Sequence, residues 1–221
     1  MSDASAGRGW LEHLLIVPGA HVRVGDFDFQ AAMYEQFHQR WGCRILHALC
    51  TPLVLVGAML ALGAIPLEVT GVHVPVGPVV LATGLAAYFV GLDALIGVVA
   101  IPVVAALLAA SVALGHALGG HAPWVGFAMT SLAAMVQAGS HLFEDVPPPW
   151  SGTHPRPFRE VLRDATPRVL AGLAMLTLVS FVLEWWASFR VLGMQINFAL
   201  MQLGLRRELR ERLEARIASA A

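Results

Sequence analysis

The chain has 221 residues, 57% of them hydrophobic and only 13% charged, with a mean hydropathy of +0.68. Soluble globular chains carry about 25% charged residues, so this composition excludes an ordinary water-soluble domain and requires an integral membrane protein. The net charge of -1 provides no electrostatic footprint for nucleic acid.

All fourteen basic residues are arginine, which with the abundant Ala and Gly points to a GC-rich genome and a bacterial inner membrane. Two cysteines, Cys43 and Cys50, exclude a disulfide framework and read as small buried apolar residues. Leu14 to Val17 is too short an apolar core for a secretory signal and is followed by Pro18, His21 and Arg23. The expectation is that the spans themselves hold the protein in the membrane.

Residues 1 to 44 are polar and mixed, and within them Phe27 to Arg40 predict a short amphipathic helix capped by Asp26, lying on the membrane surface. Ile45 to Ile65 is the first run long enough to cross, given the need for about 20 apolar residues. A Gly/Pro/Val-rich connection with Glu68 and His73 follows. The run Val76 to Leu114 is too long for one span and is interrupted only by Asp93, so it reads as two helices turning there. Gly115 to His121 is a loop, Ala122 to Phe143 a fourth run, and 144 to 168 a polar loop rich in Pro and Arg. A fifth run starts at Val169 and closes at Glu184-Trp185-Trp186; Val191 to Leu205 is a further apolar stretch before an Arg/Glu-rich C-terminal helix. The fold expected is all-α: one integral membrane domain over residues 1–221, a polytopic transmembrane bundle of four to six spans, with an N-terminal amphipathic helix and a C-terminal Arg-rich helix.

Arginines set the orientation. Arg8, Arg23, Arg40 and Arg44 precede the first span and Arg156, Arg159, Arg163 and Arg168 follow the fourth, while the connections at 66–75 and 115–121 hold none. Both arginine-bearing segments, and the N-terminus, are therefore expected to be cytoplasmic. The C-terminal arginines from Arg206 to Arg216 favour an even number of crossings. Trp41, Trp124, Trp150, Trp185 and Trp186 stand at run boundaries, as an interfacial belt requires.

This orientation gathers His38, His47, His141, His154 and Asp93 at the cytoplasmic ends of spans and leaves His73, His116 and His121 on the other side. Gln137, His141 and Glu144 share one face at a helix end, and Tyr34 shares a face with His38. An ionisable cluster at the rim of a bilayer is a functional candidate by default. His38 and His47, nine residues apart, are about half a turn out of phase on a continuous helix, so a shared ligand requires a backbone break; Gly42 is the candidate. Three imidazoles with a carboxylate suit Fe(II) where open positions are needed for oxygen, or Zn(II) where water is activated. Two other readings stand beside these: His47 and His141 as axial ligands of a b-type haem in an electron carrier, and a non-catalytic membrane scaffold.

Three motifs resemble a known family, the membrane-bound 2-hydroxy fatty acid dioxygenases of fungal fatty acid α-oxidation. They are Tyr34-x3-His38-x8-His47-x4-Pro52, Tyr88-x4-Asp93-x3-Gly97 and Gln137-x3-His141-x2-Glu144-x3-Pro148, in the family's order over a family-like core at 34–149. The chain departs from the family at Cys43, where Asn is usual, at Ser140, where Gly is usual, and at Pro148-Pro149, where Pro-Ala is usual; residues 150–221 match only in being apolar and then basic. The resemblance implies an Fe(II)-dependent oxidoreductase that uses molecular oxygen to shorten a 2-hydroxy fatty acid by one carbon, with membrane lipids as its surroundings. It implies iron binding by His38, His47 and His141, with Glu144 as a fourth ligand or an orienting partner. Tyr34, Asp93 and Gln137 then support the site or contact substrate, and Arg40, Arg44 and Arg156 are candidates for the substrate carboxylate.

Overall fold

The computed structural model describes residues 25–63, 67–69, 72–145, 158–163, 166–167 and 189–220. The fifth apolar run, the proline block after Val146 and Arg156 lie outside these residues.

Asp26 starts the first helix, α1 (Phe27–Phe37), by accepting the Phe29 N–H at 2.9 Å, which satisfies one of the donors that the first turn leaves without an intrahelical partner. α1 ends at His38, whose backbone is no longer helical (φ -126°, ψ 68°), and α2 (Trp41–Leu62) begins three residues later. The backbone break between the two histidine-bearing helices is thus at His38 to Arg40 and not at Gly42, which lies in the first turn of α2.

Beyond α2 the chain makes a small antiparallel hairpin, β1 (Leu67–Val69) with β2 (Val72–Val74), registering Leu67 against Val74. This stretch is expected from its Gly, Pro and Val content only as a connection, and the paired strands are an addition to that expectation. Apart from it the described residues are helical or in turns: α3 (Val76–Leu92), α4 (Ala94–Leu118), α5 (Ala122–Ser140), a short α6 (Phe158–Arg163), α7 over 189–202, and α8 (Arg207–Ala220). Asp93 separates α3 from α4 as expected, ending one helix and capping the next by accepting the Ile96 N–H at 3.0 Å.

α2 to α5 run alternately up and down. Leu60 of α2 lies against both Gly115 of α4 and Gly126 of α5, which on a straight helix would stand about 16 Å apart, so the chain reverses at the 3-10 turn Gly119–His121. Met59, Pro78, Ser111 and Pro123, one from each of the four helices, line a single cavity at this end of the bundle. Two stretches are long and apolar enough to cross a membrane, Trp41–Leu62 and Ala94–Phe143, and the 50 residues of the second contain that reversal; α3 is apolar but shorter, at 17 residues.

The main apolar cluster joins Leu55 and Met59 of α2, Phe89 of α3, Ile96 and Val104 of α4 and Leu200 of α7. The α2–α5 contact is closer. A Cβ on Gly126 would stand 2.6 Å from the Gly57 carbonyl oxygen, and one on Gly57 would stand 2.7 Å from the Gly126 carbonyl oxygen. Only glycine permits two helix backbones to approach so closely, the small-residue contact familiar from membrane helices. Thr130 lies in the same seam, donating to the Gly126 carbonyl at 2.9 Å and reaching the Val54 carbonyl at 3.3 Å. This antiparallel seam carries the start of α2 to the end of α5.

Candidate metal centre

At that end three imidazoles from three different segments converge. His38 comes from the C-cap of α1, His47 from the second turn of α2 and His141 from the 3-10 turn that continues α5. They are 6%, 2% and 1% exposed. His38 and His47 meet edge to face with ring centroids 4.4 Å apart; His141 lies 5.0 Å from the first and 5.5 Å from the second. Three polar rings enclosed in apolar surroundings are costly unless something common satisfies them.

The hydrogen bonds define how these rings are presented. His38 Nδ1 is 2.8 Å from the Tyr34 carbonyl, so it carries the proton and donates, leaving Nε2 with a bare lone pair. That Nε2 faces His47 Nε2 at 3.3 Å. Two metal–nitrogen bonds of ~2.1 Å place their nitrogens ~3.0 Å apart at a right angle and ~3.4 Å apart at the tetrahedral angle, so the observed spacing suits two ligands of one ion. His47 bonds weakly to the Gln137 backbone, and its Nδ1 has no partner at regular hydrogen-bond geometry. Burial pushes the His38 pKa down to about 4, with the nearby Arg44 charge acting in the same direction against the Tyr34 hydrogen bond. The ring is therefore neutral at pH 7, the form a metal requires. Tyr34 stacks on His38 with centroids 4.2 Å apart, and burial raises its phenol well above the ordinary range, so it remains protonated.

Among the described residues the donor atoms of His38, His47, His141 and Cys43 all lie within 4.8 Å of one another. Glu144 does not belong to that group. It is fully buried, and both of its oxygens accept the Arg40 backbone N–H, at 3.0 and 3.2 Å. Glu144 thereby pins the non-helical linker between α1 and α2 and explains where the backbone breaks. Cys43, which sequence analysis reads as a buried apolar residue, is indeed fully buried, but its sulfur joins the imidazoles and contacts Ser140 Oγ at 3.1 Å. The available signal was its spacing: Cys43 and His47 are four apart and share one face of α2.

The remaining candidates divide. Gln137 is fully buried and donates from Nε2 to Thr51 Oγ1 at 2.7 Å, bracing α5 on α2 just behind the rings; Gln195 of α7 donates to the same hydroxyl at 3.0 Å. Asp93 is directed elsewhere, with one oxygen capping α4 and the other accepting from Arg206 Nη2 at 2.6 Å. The exposed Arg40 side chain pairs with Asp145, whose carboxyl the hydrogen bond from Arg40 holds below the usual range, aided by Arg159. Arg44 is largely buried: Nη2 bonds Glu35 at 2.8 Å, the guanidinium lies 4.1 Å over the Phe198 ring, and Nη1 is buried without a hydrogen-bond partner. Arg156 lies outside the described residues.

No family model, curated protein or solved structure matches this chain.

Proposed function

We propose that the protein is an integral membrane, Fe(II)-dependent oxygenase that shortens 2-hydroxy fatty acids by one carbon at the cytoplasmic rim of its helical bundle. The observation that carries this reading is the convergence of three buried imidazoles, two of them presenting Nε2 atoms 3.3 Å apart, at one end of a bundle with an apolar exterior. Iron(II) held by His38, His47 and His141 would supply the redox chemistry that couples molecular oxygen to cleavage of the C1–C2 bond. The protein's own residues supply the rest. The Tyr34 carbonyl orients His38, the Glu144 carboxylate holds the linker that carries His38, and Gln137 fixes α5 against Thr51. Arg44, with a buried N–H that meets no acceptor, is the residue we assign to the substrate carboxylate.

Membrane residence is supported by the large apolar side chains that the four-helix unit turns outward, among them Leu49 at 62%, Val98 at 67%, Trp124 at 76% and Leu132 at 63% exposure. In water each would forgo about 1.5–3 kcal/mol of burial, whereas in lipid the outward face costs nothing. On this reading α2, α3, α4 and α5 are four crossings with the imidazole end cytoplasmic, and the remaining helices return the C-terminus to that side. A reporter fused after Ala221 tests the count, and a periplasmic signal overturns it.

The electron-carrier reading fits less well. A tetrapyrrole between His47 and His141 would have to pass through the space His38 fills against both rings.

The deciding experiment is anaerobic purification in detergent, Fe(II) loading and mass spectrometry of 2-hydroxypalmitate after oxygen is admitted, with His141→Ala in parallel. The expected product is the acid one carbon shorter, absent from the variant and from iron-free protein. Intact substrate in the presence of bound iron overturns the substrate class and leaves the metal centre; failure to bind iron overturns both.

A further inference from the structure

We infer that Cys43 is the fourth protein ligand of this centre, a thiolate that completes a three-imidazole, one-sulfur donor set. The inference rests on the metal-centre reading above and goes beyond it in naming a soft donor where a carboxylate is expected. Glu144, the carboxylate in question, already accepts the Arg40 N–H with both oxygens and stands outside the group of mutually close donor atoms. The Cys43 sulfur is inside that group, fully buried, and delivered to the same point as His47 by their four-residue spacing on α2.

The proton positions around the sulfur favour this role. Ser140 has a single hydroxyl proton, and its shorter contact, 2.6 Å, is to the Gln137 carbonyl, which can only accept. The Cys43 sulfur makes two polar contacts of its own, one with Ser140 Oγ at 3.1 Å and one with the Glu144 side chain, and both offer an oxygen to the thiol proton. The thiol proton therefore has an acceptor in Ser140 or Glu144, neither of them an imidazole, and it is this proton that coordination displaces. Coordination replaces the S–H bond by an S–metal bond and releases one proton to solvent. The Ser140 hydroxyl then rotates from the Gln137 carbonyl to donate to the thiolate, whose charge makes it the stronger acceptor. Such a set favours iron, cobalt or zinc over magnesium or manganese, because thiolate is a soft ligand.

The test uses the full chain in detergent, stripped of metal and titrated anaerobically with Co(II). Cobalt bound by a thiolate shows an intense near-ultraviolet sulfur-to-cobalt charge-transfer band that imidazole and carboxylate ligands do not give. The wild type is expected to develop this band together with visible d–d bands, saturating at one equivalent. Cys43→Ser is expected to lose the charge-transfer band and keep the d–d bands, while Cys50→Ser and Glu144→Gln keep both. A wild type with d–d bands alone, or a charge-transfer band that survives in Cys43→Ser, overturns the thiolate ligand while the three-histidine centre stands. A wild type with no cobalt spectrum overturns the metal centre and the thiolate together. X-ray absorption on the zinc-loaded wild type needs no variant to fold: one sulfur scatterer at about 2.3 Å is expected, and a shell of nitrogen and oxygen alone overturns the assignment.

Discussion

The α2–α5 pair and the α3–α4 pair are built from similar apolar sequence and perform different tasks. Along α3 and α4 the one buried polar side chain among the described residues is Ser111, and it satisfies itself by bonding the Leu108 carbonyl of its own helix at 2.8 Å. The seam between α2 and α5 holds His47, Thr51, Thr130, Gln137 and Ser140 and leads directly into His141. Thr51, Thr130, Gln137 and Ser140 bond across the seam or to their own backbone, whereas His47 turns Nε2 toward His38. Buried polar groups inside an apolar bundle are tolerated where each finds a partner, so a cluster whose ring nitrogens face one another marks where a ligand belongs. The hydrophobic effect gives the two pairs the same outward face; polar satisfaction separates scaffold from site.

The sharpest way to break this contrast is to remove an imidazole. His141→Ala is expected to lower metal affinity by ~100-fold or more, since loss of a mere orienting partner already costs 10–100-fold, and to abolish product formation. Metal content after dialysis against a chelator reads the effect. Retention of stoichiometric metal by the variant would remove His141 from the centre.

A second intervention acts on the seam and leaves the site residues unchanged. Gly126→Leu drives a side chain into the Gly57 carbonyl and the α2 backbone. We expect a loss of stability of about 1–3 kcal/mol, toward the upper end because the obstructing atoms are backbone, and metal loss as His47 and His141 part. The matched change on the scaffold pair, Val98→Leu at a 67% exposed position, is expected to stay within ~0.5 kcal/mol. Thermal unfolding in detergent compares the two. Equal behaviour would show that the seam has no special role.

Glu144→Gln has a smaller and more selective effect. The amide keeps one acceptor for the Arg40 N–H but loses the charge that strengthens both contacts. Metal affinity is expected to fall about 10-fold as the His38 linker loosens, with the cobalt spectrum unchanged in form. A change of spectral form instead of affinity would identify Glu144 as a direct ligand.

What could be read from the sequence follows the reach of each interaction. The cap of α1 and the turn at Asp93 depend on neighbours within a few residues, and the structure shows both; the helical face expected for Gln137, His141 and Glu144 is interrupted, because α5 ends at Ser140 and Glu144 is extended. The placement of His38 beside His47 depends on Glu144, 104 residues from Arg40 in sequence, and local spacing points to Gly42 instead. The approach of Gly57 to Gly126 has the same long-range character, and no periodicity announces it. Cys43 was hidden for another reason: a lone thiol in an apolar run is usually only a small buried side chain.

Asp93 provides the finest test, because motif and geometry assign it differently. The motif that carries the family resemblance implies that it supports the site or contacts substrate. The structure engages its two oxygens with the α4 cap and with Arg206, whose guanidinium also lies 4.9 Å from the Phe27 ring, so Asp93 ties the α3–α4 turn to α8 and α1. Asp93→Asn preserves the cap, since asparagine caps as well as aspartate, and removes only the charge facing Arg206. The pair is partly buried, with side chains 20% and 12% exposed, so the expected cost is about 1 kcal/mol of stability with metal affinity unchanged. Product formation then separates the two roles. A tie between helices predicts that turnover per bound iron stays within about twofold of wild type, whereas a fall of 100-fold or more at full iron occupancy, the range of a lost general acid or base, would place Asp93 among the groups that touch the substrate.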